Sequence, residues 1–91
     1  MNEYKTRILL VDDEAAIRRA LRATLLELGF ETIEASRGEE ALHLARSQSF
    51  DVVLLDLNMP GIGGMSTLER LRAAYPRLPI LILTEIGRAH V

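Results

Sequence analysis

Three places in the chain carry groups able to do chemistry on a cation or a phosphoryl group. Asp12-Asp13-Glu14 follows a short apolar run, Asp56 closes a second one, and Thr84 closes a third. A carboxylate at the end of a buried run is costly to desolvate unless its charge is offset. Several carboxylates in one crevice repel unless a cation sits among them. The chain has no cysteine, and neither His43 nor His90 falls near these positions, so a soft-metal site is not expected. All-oxygen ligation by few protein groups points to Mg2+, which keeps several waters. Mg2+ can hold a phosphoryl group and neutralise its charge during transfer, and a carboxylate is itself a nucleophile for phosphorus.

Asp56 is the best nucleophile candidate, because it leaves a central run with a glycine-bearing loop beside it, while Asp12 and Asp13 would orient the metal. Plainer readings stay open. A strand-end Asp56 can simply accept backbone N–H bonds in its turn. Asp13 can cap the following helix, with Glu14 answering its dipole.

The elements that must position these groups can be read in order. Ile8 to Val11 is four consecutive apolar residues, the pattern of a strand buried on both faces. Ile17, Leu21, Leu25 and Leu28 then recur at helical spacing, and Gly29 follows as a C′ residue. Phe30 to Ala35 alternates, with Thr32 and Glu34 on one side and Ile33 and Ala35 on the other, predicting a half-exposed strand at or near a sheet edge. Ser36-Arg37-Gly38-Glu39 matches a capping box opening a second helix, whose apolar face is Ala41, Leu42, Leu44 and Ala45. Ser47 to Ser49 closes it. Val52 to Leu55 is the third strand, ending at Asp56.

Pro60, Gly61, Gly63 and Gly64 then predict a loop. Met65, Leu68 and Leu71, with Ala74 or Tyr75, form a third amphipathic stripe that Pro76 stops. Leu78 to Leu83 is the fourth strand, with Pro79 at its start, where a missing donor is tolerated.

The order β-α-β-α-β-α-β predicts an α/β fold, a parallel sheet with right-handed crossovers and helices on both faces. Ligands bind such sheets outside the carboxyl ends of the strands, where strand order reverses. With order 2-1-3-4 the reversal lies between the first and third strands, so Asp12, Asp13 and Asp56 converge there and Thr84 closes the neighbouring strand.

Composition narrows the class. The 91 residues allow one domain, and 48% hydrophobic with 26% charged is globular. A formal charge of -2 gives no reason to expect nucleic-acid binding by this segment. The N-terminus has no signal-peptide pattern and no apolar run reaches membrane-spanning length, which together with the absent cysteine reads as a soluble cytoplasmic protein.

Three stretches resemble the receiver domain of two-component response regulators: Ile8 to Glu14; Asp56 to Gly61 with Gly64; and Pro79 to Thr84. The resemblance runs from Arg7 to Thr84 in the same element order. It implies a flavodoxin-like doubly wound sheet and a phosphoaccepting aspartate, Asp56. It further implies Mg2+ held by Asp12 (partly through water), Asp13, Asp56 and the backbone carbonyl of Asn58, with the Thr84 hydroxyl as the switch. The implied donor is a phosphohistidine on a sensor histidine kinase or phosphotransfer protein. A receiver acts on itself, so no external substrate is expected. A Mg2+-dependent phosphohydrolase is the weaker idea, since no acid–base residue or substrate pocket is evident.

Departures from the family carry information too. Receivers continue past this threonine with a fourth helix, fifth strand and fifth helix, and place a lysine at the end of that strand. The only lysine here is Lys5. Residues 1–84 are therefore expected to be a partial receiver domain, with a possible output domain lost. Residues 85–91, similar to a translated sequencing-library adapter, are expected to be a non-native tail. A binding-only module or inactive fragment is the alternative that the missing lysine raises.

Overall fold

The computed structural model describes residues 4–83. Thr84 and the expected tail at 85–91 lie outside the described residues. Four strands and three helices alternate: β1 (Arg7–Val11), α1 (Ala15–Glu27), β2 (Glu31–Ala35), α2 (Gly38–Ser47), β3 (Val52–Asp56), α3 (Gly63–Ala74) and β4 (Ile80–Leu83). The strands form one sheet in the order β2-β1-β3-β4, every pair parallel. The strand order and alternation agree with the expectation, and β2 is an edge.

Burial explains why the apolar runs became strands. Alternate residues of β1 and β3 face opposite layers. Leu9, Val11, Val53 and Leu55 join Ala35, Ala41, Met59 and Leu71 in the main core beneath α2 and α3, which pack on each other. Ile8 and Leu10 are buried on the other face, where α1 crosses β1 and β2. The opposite pole is tied by Arg7. Its guanidinium donates to the Ser49 carbonyl (2.8 Å) and Gln48 Oε1 (2.6 Å) and lies 5.2 Å over the Phe50 ring. Its N–H and the Tyr4 hydroxyl both donate to the Asp51 carboxylate.

Several local expectations need correction. Leu28 is not part of the buried stripe. It is the C-cap of α1 and 65% exposed, because the helix has already ended and Gly29 turns the chain with φ +93°. No residue of α1 is fully buried; Ile17, Leu21 and Leu25 are half-buried. The Ser36 bond is made by Glu40, not Glu39. Since α2 starts at Gly38 with Arg37 as its N-cap, Glu40 is the residue one turn beyond Ser36. Its Oε1 accepts from the Ser36 N–H (2.9 Å) and hydroxyl (3.2 Å). Gly63 and Gly64 are the first residues of α3 rather than loop. Met65 is exposed, because the inward face of α3 runs Gly64, Thr67, Leu71, a spacing that Met65 does not share.

Candidate functional site

Register creates the site. Val11 of β1 stands opposite Leu55 of β3, so the next residues along the two strands, Asp12 and Asp56, come side by side at the carboxyl edge of the sheet. Both are buried, and Asp13 beside them is exposed. One carboxylate oxygen from each of Asp12, Asp13 and Asp56 lies within 4.8 Å of the others. The convergence expected from the strand assignments is therefore present.

Each buried carboxylate is aimed by the same local device. The Glu14 N–H donates to Asp12 Oδ1 (2.9 Å), and the Asn58 N–H donates to Asp56 Oδ1 (3.0 Å). Both are turns in which an aspartate accepts from the amide two residues on. The plainer reading of Asp56 is thus also true: it bonds its own turn and joins the acidic crevice. The capping role offered for Asp13 is not what is seen. Glu14 occupies the N-cap of α1 without a side-chain cap bond, and its own amide donates to Asp12.

The turn after Asp56 is held by close approach. The Gly64 N–H donates to the Leu57 carbonyl at 3.2 Å. A Cβ on Gly64 would stand 2.1 Å from Leu57 Cα and 2.4 Å from the Asp56 carbonyl oxygen, so only glycine lets α3 begin directly against this turn. Gly61, with φ +77°, has the Glu39 carboxylate against it; a Cβ there would be 3.3 Å from Glu39 Oε2. Glu39 therefore meets the loop of the site instead of capping its own helix.

Electrostatics decides what this crevice can hold. Two buried carboxylates near this spacing repel by about 3–4 kcal/mol at an effective dielectric of roughly 20. A divalent cation among them reverses that balance. The donor set is hard oxygen throughout, with no histidine or cysteine in the cluster. An octahedral Mg2+ shell spans about 3 Å between neighbouring oxygens and about 4 Å across. The three oxygens, within 4.8 Å of one another, are gathered on the scale of that shell. A concavity of about 670 Å³ lies at the other pole between Phe50, Tyr75 and Arg77, away from the acids. His43 is an exposed residue of α2, as expected, and His90 lies outside the described residues.

Sequence reasoning passed over two residues that act on this site. Arg18 of α1 reaches back to the Asp12 carbonyl, and Thr67 is fully buried, its hydroxyl donating to the Gly63 carbonyl at 2.7 Å in the first turn of α3. Arg18 sits off the apolar stripe and reads there as a solvated charge. Thr67 falls on the inward row with Gly64 and Leu71, a signal that the apolar count alone ignores.

Comparison with known proteins agrees with this geometry. Residues 8–90 match the family model described as the response regulator receiver domain. The probable transcriptional regulator ycf27 of Porphyra purpurea is 44% identical over 87 residues, 96% of this chain and 35% of its own length. The chain thus spans about a third of that relative. The crystal structure of response regulator protein TrrA from Thermotoga maritima in complex with Mg2+–BeF is similar with a TM-score of 0.82 at 39% identity, covering 94% of this chain and 76% of that one. TrrA in complex with the histidine kinase ThkA is similar with a TM-score of 0.84 at 40% identity, over 94% and 74% of the two chains. With its sheet order, its acidic crevice and its match across nearly all its length, the chain belongs to the response regulator receiver domain family.

Proposed function

We propose that this receiver is a phosphoacceptor in a two-component phosphorelay, with Asp56 taking the phosphoryl group. The observation that carries the reading is the meeting of Asp12, Asp13 and Asp56 oxygens within 4.8 Å at the ends of β1 and β3. The three carboxylates, with the backbone carbonyl of Asn58, would hold Mg2+. That ion, when bound, supplies positive charge to the phosphoryl oxygens during transfer. Asp56 provides the attacking oxygen. A P–O bond forms to its carboxylate as the P–N bond of a donor phosphoimidazole breaks, and the imidazole leaves with the electron pair. The turn bond from the Asn58 amide holds the carboxylate in line while this occurs.

A sensor histidine kinase or phosphotransfer protein is the proposed donor, supported by the structure of TrrA with a histidine kinase. Thr84 as the switch hydroxyl rests on the family resemblance. An output domain joined to this segment belongs to the same proposal, supported by a relative that extends well beyond the matched stretch. No helix among the described residues is long and apolar enough to cross a membrane.

Intact-mass spectrometry after incubation with MgCl2 and phosphoramidate tests the reading. The expected result is a phosphoryl adduct on the wild type, lost on chelation and absent from Asp56→Asn. No adduct on the wild type would favour a binding-only module, and an equal adduct on Asp56→Asn would move the acceptor elsewhere.

A further inference from the structure

One basic residue on α1 reaches the backbone of the turn that carries Asp12. Arg18 Nη1 donates to the Asp12 backbone carbonyl at 2.8 Å, and its Nε pairs with Glu34 Oε1 of β2 at 3.0 Å. The Arg18 side chain is only 18% exposed, and Glu34 lies in the half-buried layer beneath α1. The Asp12 N–H in turn donates to the Ala35 carbonyl, adjacent to Glu34, at 3.2 Å. Arg18 thus closes a ring from helix to turn to edge strand around the residue that begins the acidic pair. Arg22 supplies the contrast. It pairs with the same Glu34 at 3.6 Å, is half exposed, and makes no bond to Asp12 among those described.

We propose that Arg18 is a positioning residue for cation binding: through the Asp12 carbonyl it fixes the β1–α1 turn so that the Asp12 and Asp13 carboxylates stay within reach of Asp56. This rests on the Mg2+ site proposed above and names what sets its affinity. The sign of the effect separates positioning from charge. Coulomb repulsion alone says that removing a guanidinium near a cation site tightens cation binding or leaves it unchanged. Loss of positioning loosens it, as loss of groups that orient ligands does, by about tenfold.

The experiment is a MgCl2 titration of the whole chain at fixed ionic strength, followed by the amide resonances of Glu14 and Asn58. Wild type is compared with Arg18→Met, Arg18→Lys and Arg22→Met. Arg18→Met keeps the stem and removes the donors, and is expected to weaken binding about tenfold. Arg18→Lys keeps the charge but has one compact head for two acceptors, and is expected to fall between wild type and Arg18→Met. Arg22→Met is expected to stay within about twofold of wild type. Hydrogen exchange of the Glu14 amide, measured without Mg2+, should quicken in Arg18→Met and not in Arg22→Met.

Binding by Arg18→Met as tight as wild type, or equal weakening in the two Met variants, overturns the assignment. If Arg18→Met does not fold, Arg18→Lys decides, and wild-type affinity there overturns it. A wild type whose resonances do not respond to MgCl2 overturns the metal site itself, and this inference with it.

Discussion

Gly64→Ala is the sharpest test of how the turn after Asp56 is built. The added Cβ would meet Leu57 Cα at 2.1 Å, the Asp56 carbonyl oxygen at 2.4 Å and Leu57 C at 2.5 Å, where ordinary contact begins at 3.4 Å. All three are backbone atoms, so no rotamer change relieves them. Helix and turn must part by roughly 1 Å, at a cost of about 1–3 kcal/mol for overpacking. The Gly64 to Leu57 bond stretches with them, adding about 1 kcal/mol. The sum, about 3 kcal/mol, is a large fraction of the stability of a domain this size. Gly29→Ala is the control. Gly29 has φ +93° but nothing within 4 Å of a Cβ, so only the backbone cost of about 1–2 kcal/mol applies.

Circular-dichroism melts of wild type and both variants give the comparison. At about 4–8 °C per kcal/mol for a chain of this length, Gly64→Ala should melt at least 10 °C lower than wild type, and roughly 5 °C or more below Gly29→Ala. Because the same displacement moves Asp56 and Asn58, Gly64→Ala should also weaken the response to MgCl2, and Gly29→Ala should leave it intact. Equal melting of the two variants with unchanged Mg2+ binding would refute the close approach as the reason for glycine at 64.

Three further outcomes follow from other contacts. Gly38→Ala would drive a Cβ to 2.0 Å from Thr67 Oγ1, so it should destabilise, and Thr67→Ala should relieve part of that. A double-mutant cycle of melts should show coupling of about 1 kcal/mol or more, where additivity would deny the contact. Thr32 Oγ1 is buried without a hydrogen-bond partner, so Thr32→Val should stabilise by about 1 kcal/mol in urea unfolding, and a loss of that size would mean the hydroxyl is satisfied. The Asp51 carboxyl is held below its usual range by the Arg7 N–H and then by the Tyr4 hydroxyl. Its folded pKa is depressed, so its contribution is present above the unfolded value near pH 4 and is lost as pH falls through the folded value. Asp51→Asn should therefore flatten the acid limb of stability against pH, and an unchanged limb would count against the pairing.

Much of the architecture was legible because burial is periodic. Four-residue apolar runs ending at Asp12 and Asp56 marked the two central strands, although only β1 is buried on both faces and Val52 and Leu54 of β3 are half-buried, and their alternation with helical stripes dictated a parallel sheet. What periodicity reports is which positions are apolar, not where a helix begins or how far a side chain reaches. That is why Ser36 was paired with Glu39 when the helix start at Gly38 brings Glu40 to it, and why Met65 was counted inward. Leu28 looked like a fourth rung because spacing continues past the residue where the helix ends. Arg18 and Thr67 were missed because a charge or hydroxyl off the stripe reads as solvated until its partner, distant in sequence, is in place.

By itself, then, the order of residues determined the sequence of elements, the acids at strand termini and the hard-oxygen character of any cation site. Those depend only on local pattern and side-chain type. Tertiary structure alone decided that Val11 lies opposite Leu55, that Asp12 therefore stands beside Asp56, that α3 starts in contact with the Asp56 turn, and that Arg18 spans from helix to edge strand. Each of these is a pairing between segments far apart in the chain. Register and reach emerge only when the hydrophobic layers pack and the backbone bonds between strands are made.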